Sequence, residues 1–286
     1  METKQTALSI YQVDAFTTSV FSGNYAAVVP LTSWLAEATM QAIAAENNVS
    51  ETAFTVPRNE PGHYDIRWFS PLAEIDFCGH ATLASAKVLM TEQGSLNTLY
   101  FHAPAVGALA VEQDSTGLIT MTFPNQMPQT VAQPPAQLLA ALATAPRQVM
   151  KNRQAYFAIY DQQQQVEQCQ PKLDLLRQLA PLDVVVTAPA NQDSEADFVS
   201  RYFWPANGGD EDQVTGSIHT GLAPYWAQQL GKDTLTAQQL SSRGGTLYCQ
   251  VKGQHVLISG YGVLYLSGTI QVPQHTTANE GNKAVR

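Results

Sequence analysis

Short apolar runs broken by Gly, Pro, Asn and Asp dominate this chain, and they predict strands more often than helices. Residues 9–16 alternate in the manner of an opening strand. Residues 26–29 form a buried strand that ends at Pro30. Leu35, Met40, Ile43 and Ala44 recur at helical spacing behind a cap at Thr32 or Ser33, and that helix stops near Asn47-Asn48. Residues 51–56 and 64–69 read as a strand pair. Residues 79–90 are apolar and rich in Ala81, Ala84, Ser85 and Ala86, a composition that lets a helix be enclosed closely. Strands follow at 99–101, 107–111 and 119–123.

The Pro- and Gln-rich stretch 124–135 reads as a boundary. Beyond it come a helix at 136–142, a strand at 155–160 and a solvated turn at 162–165. An amphipathic helix at 173–179, a buried strand at 184–186 and a strand at 198–204 succeed them. A second small-residue helix covers 216–230, with Pro224 expected to kink it. Strands at 247–251, 256–259 and 263–270 close the pattern, and a polar tail from Gln271 is expected to fray.

The pattern contains a repeat. Arg67-Trp68-Phe69-Ser70-Pro71 leads through Glu74 and Asp76 to Cys78-Gly79-His80-Ala81-Thr82. Arg201-Tyr202-Phe203-Trp204-Pro205 leads through Asp210, Glu211 and Asp212 to Thr215-Gly216-Ser217. Each copy reads as an Arg-aromatic-aromatic strand, an acidic loop and a Gly-led turn into a small-residue helix. The expected fold is therefore α+β, with two similar domains, each a curved barrel-like sheet wrapped around a central helix. The halves are expected at 1–124 and 125–270, with a tail at 271–286. A cleft between two helix N-termini would suit an anion and proton chemistry.

Bulk properties narrow the function. A chain of 286 residues suits two domains, and 44% hydrophobic with 14% charged residues suits a compact one. A net charge of −9 argues against nucleic acid or an anionic membrane surface as partner. Cys78, Cys169 and Cys249 form neither a disulfide framework nor a zinc-ligand spacing. No signal-peptide pattern opens the sequence and no run has the length of a membrane span, so a soluble, cytoplasmic protein is expected.

Five motifs occur in order: Asp14-Ala15-Phe16, Phe21-Ser22-Gly23-Asn24, Ser50-Glu51-Thr52-Ala53-Phe54, Cys78-Gly79-His80-Ala81-Thr82, and Glu211-Asp212-Gln213-Val214-Thr215-Gly216-Ser217. Together they resemble the PhzF-like phenazine biosynthesis family, whose fold is that of diaminopimelate epimerase. The resemblance implies a cofactor-independent isomerase, with no metal, that moves a proton between carbons of a small carboxylate. It also implies an active site between the halves, and a homodimer.

In that reading Glu51 is the acid/base. It opens an apolar strand, and partial burial with a nearby negative group would tune it upward. A lone glutamate there would otherwise be an exposed strand-edge carboxylate. The resemblance makes His80 a hydrogen-bond partner of the substrate, and its place at a helix N-terminus favours the neutral ring. Its alternative is a satisfied core histidine. Asp212 would hold His80 or raise Glu51, or else cap the second helix. Gly79, Gly216 and Ser217 would offer backbone N–H groups and a hydroxyl to a substrate carboxylate, and Asn24 could line the same cleft or serve only a turn. Gln213 stands where the family commonly has Pro, which loosens the loop behind Asp212.

Trp68, Phe69, Tyr202, Phe203 and Tyr225 are candidate cleft walls, with core packing the alternative expected for most of them. Two other functions fit less well. A two-base racemase would need a thiol before each mirrored Gly, and Cys78 supplies one while Thr215 holds the other position. A non-catalytic binding protein on the same fold would have no need of Glu51, His80 and Asp212.

Overall fold

The computed structural model describes residues 5–273. The strands begin with β1 (Gln5–Ala15), β2 (Asn24–Pro30), β3 (Glu51–Pro57), β4 (His63–Phe69) and β5 (Glu74–Ile75), with helix α1 (Glu37–Asn47) between β2 and β3. Helix α2 (Gly79–Gln93) follows, then β6 (Thr98–Ala103), β7 (Gly107–Gln113), β8 (Ile119–Pro124) and β9 (Gln129–Thr130). The next segment holds α3 (Ala136–Ala141), β10 (Gln148–Lys151), β11 (Ala155–Ile159), α4 (Gln163–Glu167) and α5 (Leu173–Leu176). It continues with β12 (Asp183–Pro189), β13 (Phe198–Phe203), β14 (Glu211–Asp212) and α6 (His219–Leu230). Last come β15 (Thr234–Gln239), β16 (Gly245–Lys252), β17 (His255–Gly260) and β18 (Gly262–Pro273). The class is mixed α+β: one hydrogen-bonded strand network and few helices.

The sequence repeat is a repeat of strand pairing. β2 runs parallel to β3, β3 antiparallel to β4, β4 antiparallel to β5 and parallel to β6. β11 runs parallel to β12, β12 antiparallel to β13, β13 antiparallel to β14 and parallel to β15. The parallel β4–β6 and β13–β15 pairs need long crossovers, which α2 and α6 provide. The two series join where β8 pairs antiparallel with β17. β18 pairs along β1, so the last described strand returns to the first repeat's strands, and Gln271 to Pro273 are strand residues and not tail. The rest of the expected tail lies outside the described residues.

Alternation along the strands sorts the core into layers. On β2, Ala26 and Val28 join an inner cluster with Leu83 and Leu89 of α2, while Ala27 and Val29 join an outer cluster with Met40 and Ile43 of α1. On β13, Phe198 and Tyr202 face the inner cluster with Leu222 and Trp226 of α6, while Val199 and Phe203 face an outer one with Leu138 and Leu176. The inner cluster takes in α2 and α6 together. Of the two readings open for the five aromatics, cleft wall or core, burial favours core: Trp68, Phe69, Tyr202, Phe203 and Tyr225 are all buried. Large rings contribute most where they leave water completely, and these positions face the packed layers.

Three local expectations change. α1 is preceded by Ala36 without a side-chain cap, not by Thr32 or Ser33. Residues 163–165 open α4 with Gln162 as its N-cap, and Gln162 and Gln165 form a reciprocal capping box. α6 starts at His219, and residues 216–218 form a tighter turn in which the His219 N–H donates to Gly216 O and the Thr220 N–H to Ser217 O. α6 then continues through Pro224. The Thr220 carbonyl that Pro224 cannot serve accepts the N–H of Gln126 instead, at 3.0 Å.

Candidate active site

The first strand of each parallel pair and the helix after each acidic loop bring their ends together at one place. Glu51 begins β3, directly beside Ala26 of β2, and Asn24 begins β2. Cys78, Gly79 and His80 form the entry to α2. Asp212 ends β14, paired with Tyr202. Positions 24, 51, 80 and 212, singled out in the sequence, therefore converge.

His80 Nε2 lies 2.9 Å from Glu51 Oε2, with side chains 8% and 12% exposed. Apart from this contact, that Glu51 oxygen has no hydrogen-bond partner among the described residues. Ser50 Oγ donates to Tyr25 O at 2.8 Å and lies 3.4 Å from His80 Nε2. Cys78 Sγ is 3.4 Å from His80 Nδ1.

Asn24 ties the two repeats together. Its Nδ2 donates to Asp212 Oδ1 at 2.8 Å and to Val214 O at 3.0 Å. A carboxamide nitrogen has two hydrogens, so these two acceptors use both. The approach of Asn24 Nδ2 to His80 Nδ1, at 3.2 Å, is therefore a contact and not a third bond. Asp212 Oδ2 accepts the Thr215 hydroxyl at 2.5 Å. Gln239 supports the loop from behind, donating to Asp212 O and accepting the Thr215 N–H, both at 2.9 Å.

The charges follow from this geometry, and two expectations reverse. Burial pushes the Glu51 carboxyl up, but the charge and hydrogen bond of His80, with help from Ser50 and Cys78, outweigh it and leave Glu51 below the usual carboxylate range. Burial pushes the His80 ring down, yet Cys78 and Glu51 beside it carry it well above the usual imidazole value. Cys78 is itself pushed up by burial, so the more its thiol keeps its proton, the more the raising of His80 falls to the Glu51 carboxylate. Both directions favour a Glu51–His80 ion pair over the upward-tuned carboxylate and neutral ring expected from sequence. Burial raises Asp212, and the nearby Glu51 charge adds to that, against the pull of His80, Thr215 and Asn24.

Gly79 opens α2, as expected, while Gly216 and Ser217 lie in the turn ahead of α6. Ser217 Oγ accepts from Gln154 Nε2 at 2.9 Å, and the same nitrogen reaches Tyr202 OH at 3.0 Å. With its oxygen so engaged, the Ser217 hydroxyl hydrogen is free for another acceptor. Sequence reading missed Gln154, Gln239 and Cys78's contact with His80, since nothing local marks them. Glu51, Cys78 and His80 offer one ligand atom each within 4.8 Å of one another. Such a set would hold a cation only after the buried thiol lost its proton, which burial opposes. Thr215, the counterpart of Cys78 in the repeat, is a hydroxyl donating to Asp212, so the paired thiols of a two-base racemase are not present here.

Comparison with known proteins gives the chain's relatives. Residues 13–268 match the family model described as phenazine biosynthesis-like protein. An uncharacterized isomerase of Pseudomonas aeruginosa is 46% identical over 265 residues, covering 93% of this chain and 99% of that protein. An uncharacterized isomerase of Halalkalibacterium halodurans is 38% identical over 259 residues, covering 90% and 96%. The crystal structure of a phenazine biosynthesis protein of the PhzF family from Enterococcus faecalis superposes with a TM-score of 0.87 at 41% identity, covering 93% of this chain and 99% of that one. A hydroxyproline epimerase from Agrobacterium vitis shares the fold at a TM-score of 0.57 and 10% identity, covering 94% and 93%. Among the described residues no helix is long and apolar enough to cross a membrane.

Proposed function

We propose, since this chain belongs to the phenazine biosynthesis-like protein family, that it is an isomerase in which Glu51 takes a proton from one carbon of a small carboxylate substrate and returns it to another. Similar proteins that bear the name isomerase support the reaction class. The observation that carries the residue assignment is the 2.9 Å contact of Glu51 with His80 in a nearly dry site.

That contact supplies a switch in basicity. Burial is the largest influence on Glu51 and acts upward, and His80 is the main group opposing it. A substrate anion that draws the His80 imidazolium toward itself leaves Glu51 desolvated and unpaired. Its basicity then rises at the moment when a carbon-bound proton must be taken. After transfer, the neutral acid returns the proton to the second carbon and the ion pair re-forms. His80 orients the substrate, and Asp212, through Asn24, fixes the side of the site contributed by the second repeat. Gly79, Gly216 and Ser217 are the proposed contacts of the substrate carboxylate, in keeping with N–H groups at helix starts as anion sites, while Asn24, whose amide hydrogens serve Asp212 and Val214, lines the site without donating to it. In this reading no metal or organic cofactor takes part, and Cys78 stays a protonated neighbour of His80.

The test uses small cyclic unsaturated acids and amino acids incubated with the protein in heavy water. Wild-type protein is expected to move the double bond in at least one of them, with deuterium entering the receiving carbon only as far as the Glu51 acid exchanges with solvent before it returns the proton. Glu51→Gln should slow this by at least about 10²-fold while ligand affinity changes little. A Glu51→Gln variant that moves the bond at the wild-type rate would falsify the assignment, and inversion at an amino-acid alpha carbon without a shifted bond would point to a racemase.

A further inference from the structure

Gln213 follows Asp212, and the loosened loop expected at this position is not what the structure shows. The Gln213 side chain faces the 241–244 loop between β15 and β16, and its oxygens hold that loop. Gln213 Oε1 lies 3.1 Å from the donating Ser242 Oγ and 3.3 Å from the Arg243 N–H, and Gln213 O accepts Ser241 Oγ at 2.7 Å. The loop so held presents Arg243 to the first repeat. Arg243 Nε donates to Gly23 O at 2.9 Å, and Nη2 donates to Ser22 O at 3.0 Å and to Asp14 Oδ1 at 2.9 Å. Its guanidinium also lies 4.8 Å from the centre of the Tyr25 ring.

The Arg243 contacts fall on Ser22, Gly23 and Tyr25, which neighbour Asn24 in the chain, and on Asp14, which pairs with Tyr25 across the strands. Asp14 is 2% exposed, and its other oxygen accepts the Phe21 N–H at 2.9 Å. Backbone bonds run beside the arginine: Gly23 N–H to Gly244 O at 2.8 Å, and Thr246 N–H to Phe16 O at 2.9 Å. The segment has little slack. Gly23 has φ +70°, and a Cβ there would sit 2.2 Å from Ala15 O; a Cβ on Gly245 would sit 2.4 Å from Val214 Cγ2.

We infer that Gln213 and Arg243 form a clamp between the repeats which positions Asn24 against Asp212 and His80, making both positioning residues for the proposed proton transfer. The inference rests on the reading of this site given above. Two links now join residues 212–213 to residues 22–24. One is direct, Asn24 to Asp212. The other runs through Gln213, the 241–243 loop and Arg243 to the carbonyls just before Asn24. Closing a second link around the first restricts the rotation of the Asn24 carboxamide, which must serve Asp212 and Val214 O at once. The side-chain oxygen offered to Ser242 and Arg243 is that of Gln213, so the clamp depends on a residue with such an acceptor at this position. The forked donor set of arginine, three bonds in one plane, is one that lysine cannot reproduce.

The test needs no substrate, so it is independent of whether the proposed reaction is right. In the full chain, labelled with nitrogen-15, hydrogen exchange of the Asn24 side-chain NH2 is followed together with backbone amides of β12 and β13, far from the clamp. Gln213→Ala and Arg243→Met are each expected to speed Asn24 exchange by at least about tenfold while β12 and β13 stay protected. Arg243→Lys should fall between Met and wild type. Unchanged Asn24 exchange in Gln213→Ala removes the glutamine from the clamp. Unchanged exchange in Arg243→Met, or equal loss of protection at β12 and β13 in Gln213→Ala, overturns the positioning role altogether. If Arg243→Met does not fold, Gln213→Ala, which removes no charge, decides the question alone.

Discussion

Glu51 and His80 define each other. A lone carboxylate in so dry a place would be driven toward its neutral form, and a lone imidazole likewise. At 2.9 Å each supplies the opposite charge that the other lacks. The sequence contained the right residues but not their charge states. A histidine at a helix start suggested a neutral ring, an influence of about 0.3–1 kcal/mol, whereas uncoupling a buried ion pair costs about 3–5 kcal/mol. The stronger effect depends on a contact between residues from β3 and α2, which no local pattern encodes.

The pair also predicts a pH window. The raised His80 stabilises the fold fully below the unfolded imidazole value of about 6.5, and this contribution is lost as pH rises through its folded value. The lowered Glu51 stabilises above the unfolded carboxylate value of about 4.3, and its contribution is lost as pH falls through its folded value. Thermal melting of wild type and His80→Gln should therefore differ most between about pH 4.3 and 6.5, with the gap narrowing on both sides. A gap that is flat from acid to alkaline pH would refute the charged pair.

At the scale of elements, α2 sets where His80 stands. From His80 to Met90 only Lys87 escapes burial, and the small residues let β1, β2, β3, β8 and β18 approach the helix. Leu83, fully buried, packs in the inner cluster. Leu83→Ala should cost about 2–5 kcal/mol in urea unfolding, and a loss below about 1 kcal/mol would mean that α2 is not held as described. This helix was legible because its composition was extreme. The start of α6 was not, since Gly216-Ser217-Ile218 carries the same small-residue signature in a tighter turn. Residues 162–165 were misread for the opposite reason: four glutamines have no periodicity, and only the reciprocal Gln162–Gln165 bonds reveal a helix start.

For the whole molecule, the duplicated pairing pattern explains why one site draws on both repeats. Glu51, His80 and Asn24 come from the first, Asp212 and Ser217 from the second, and Asn24 spans the join. The repeat was visible in sequence as Arg-aromatic-aromatic strands ahead of Gly-led turns. The partners that brace the join, Arg243, Gln239 and Gln154, were not, because they lie in loops and strand ends that meet the site only after folding. Arg201 and Arg67 show what the repeated arginines do instead. Each pairs with the glutamate of its own acidic loop, Glu211 at 2.7 Å for Arg201 and Glu74 with Glu37 for Arg67, and so fixes the loop outside the site.

The most direct test of this account is an NMR determination of the protonation states of His80 and Glu51 in the free protein at neutral pH, from ring nitrogen-15 and side-chain carboxyl carbon-13 shifts. The account predicts a doubly protonated imidazole beside an ionised carboxylate. A neutral ring at His80 with a protonated carboxyl at Glu51 would contradict it.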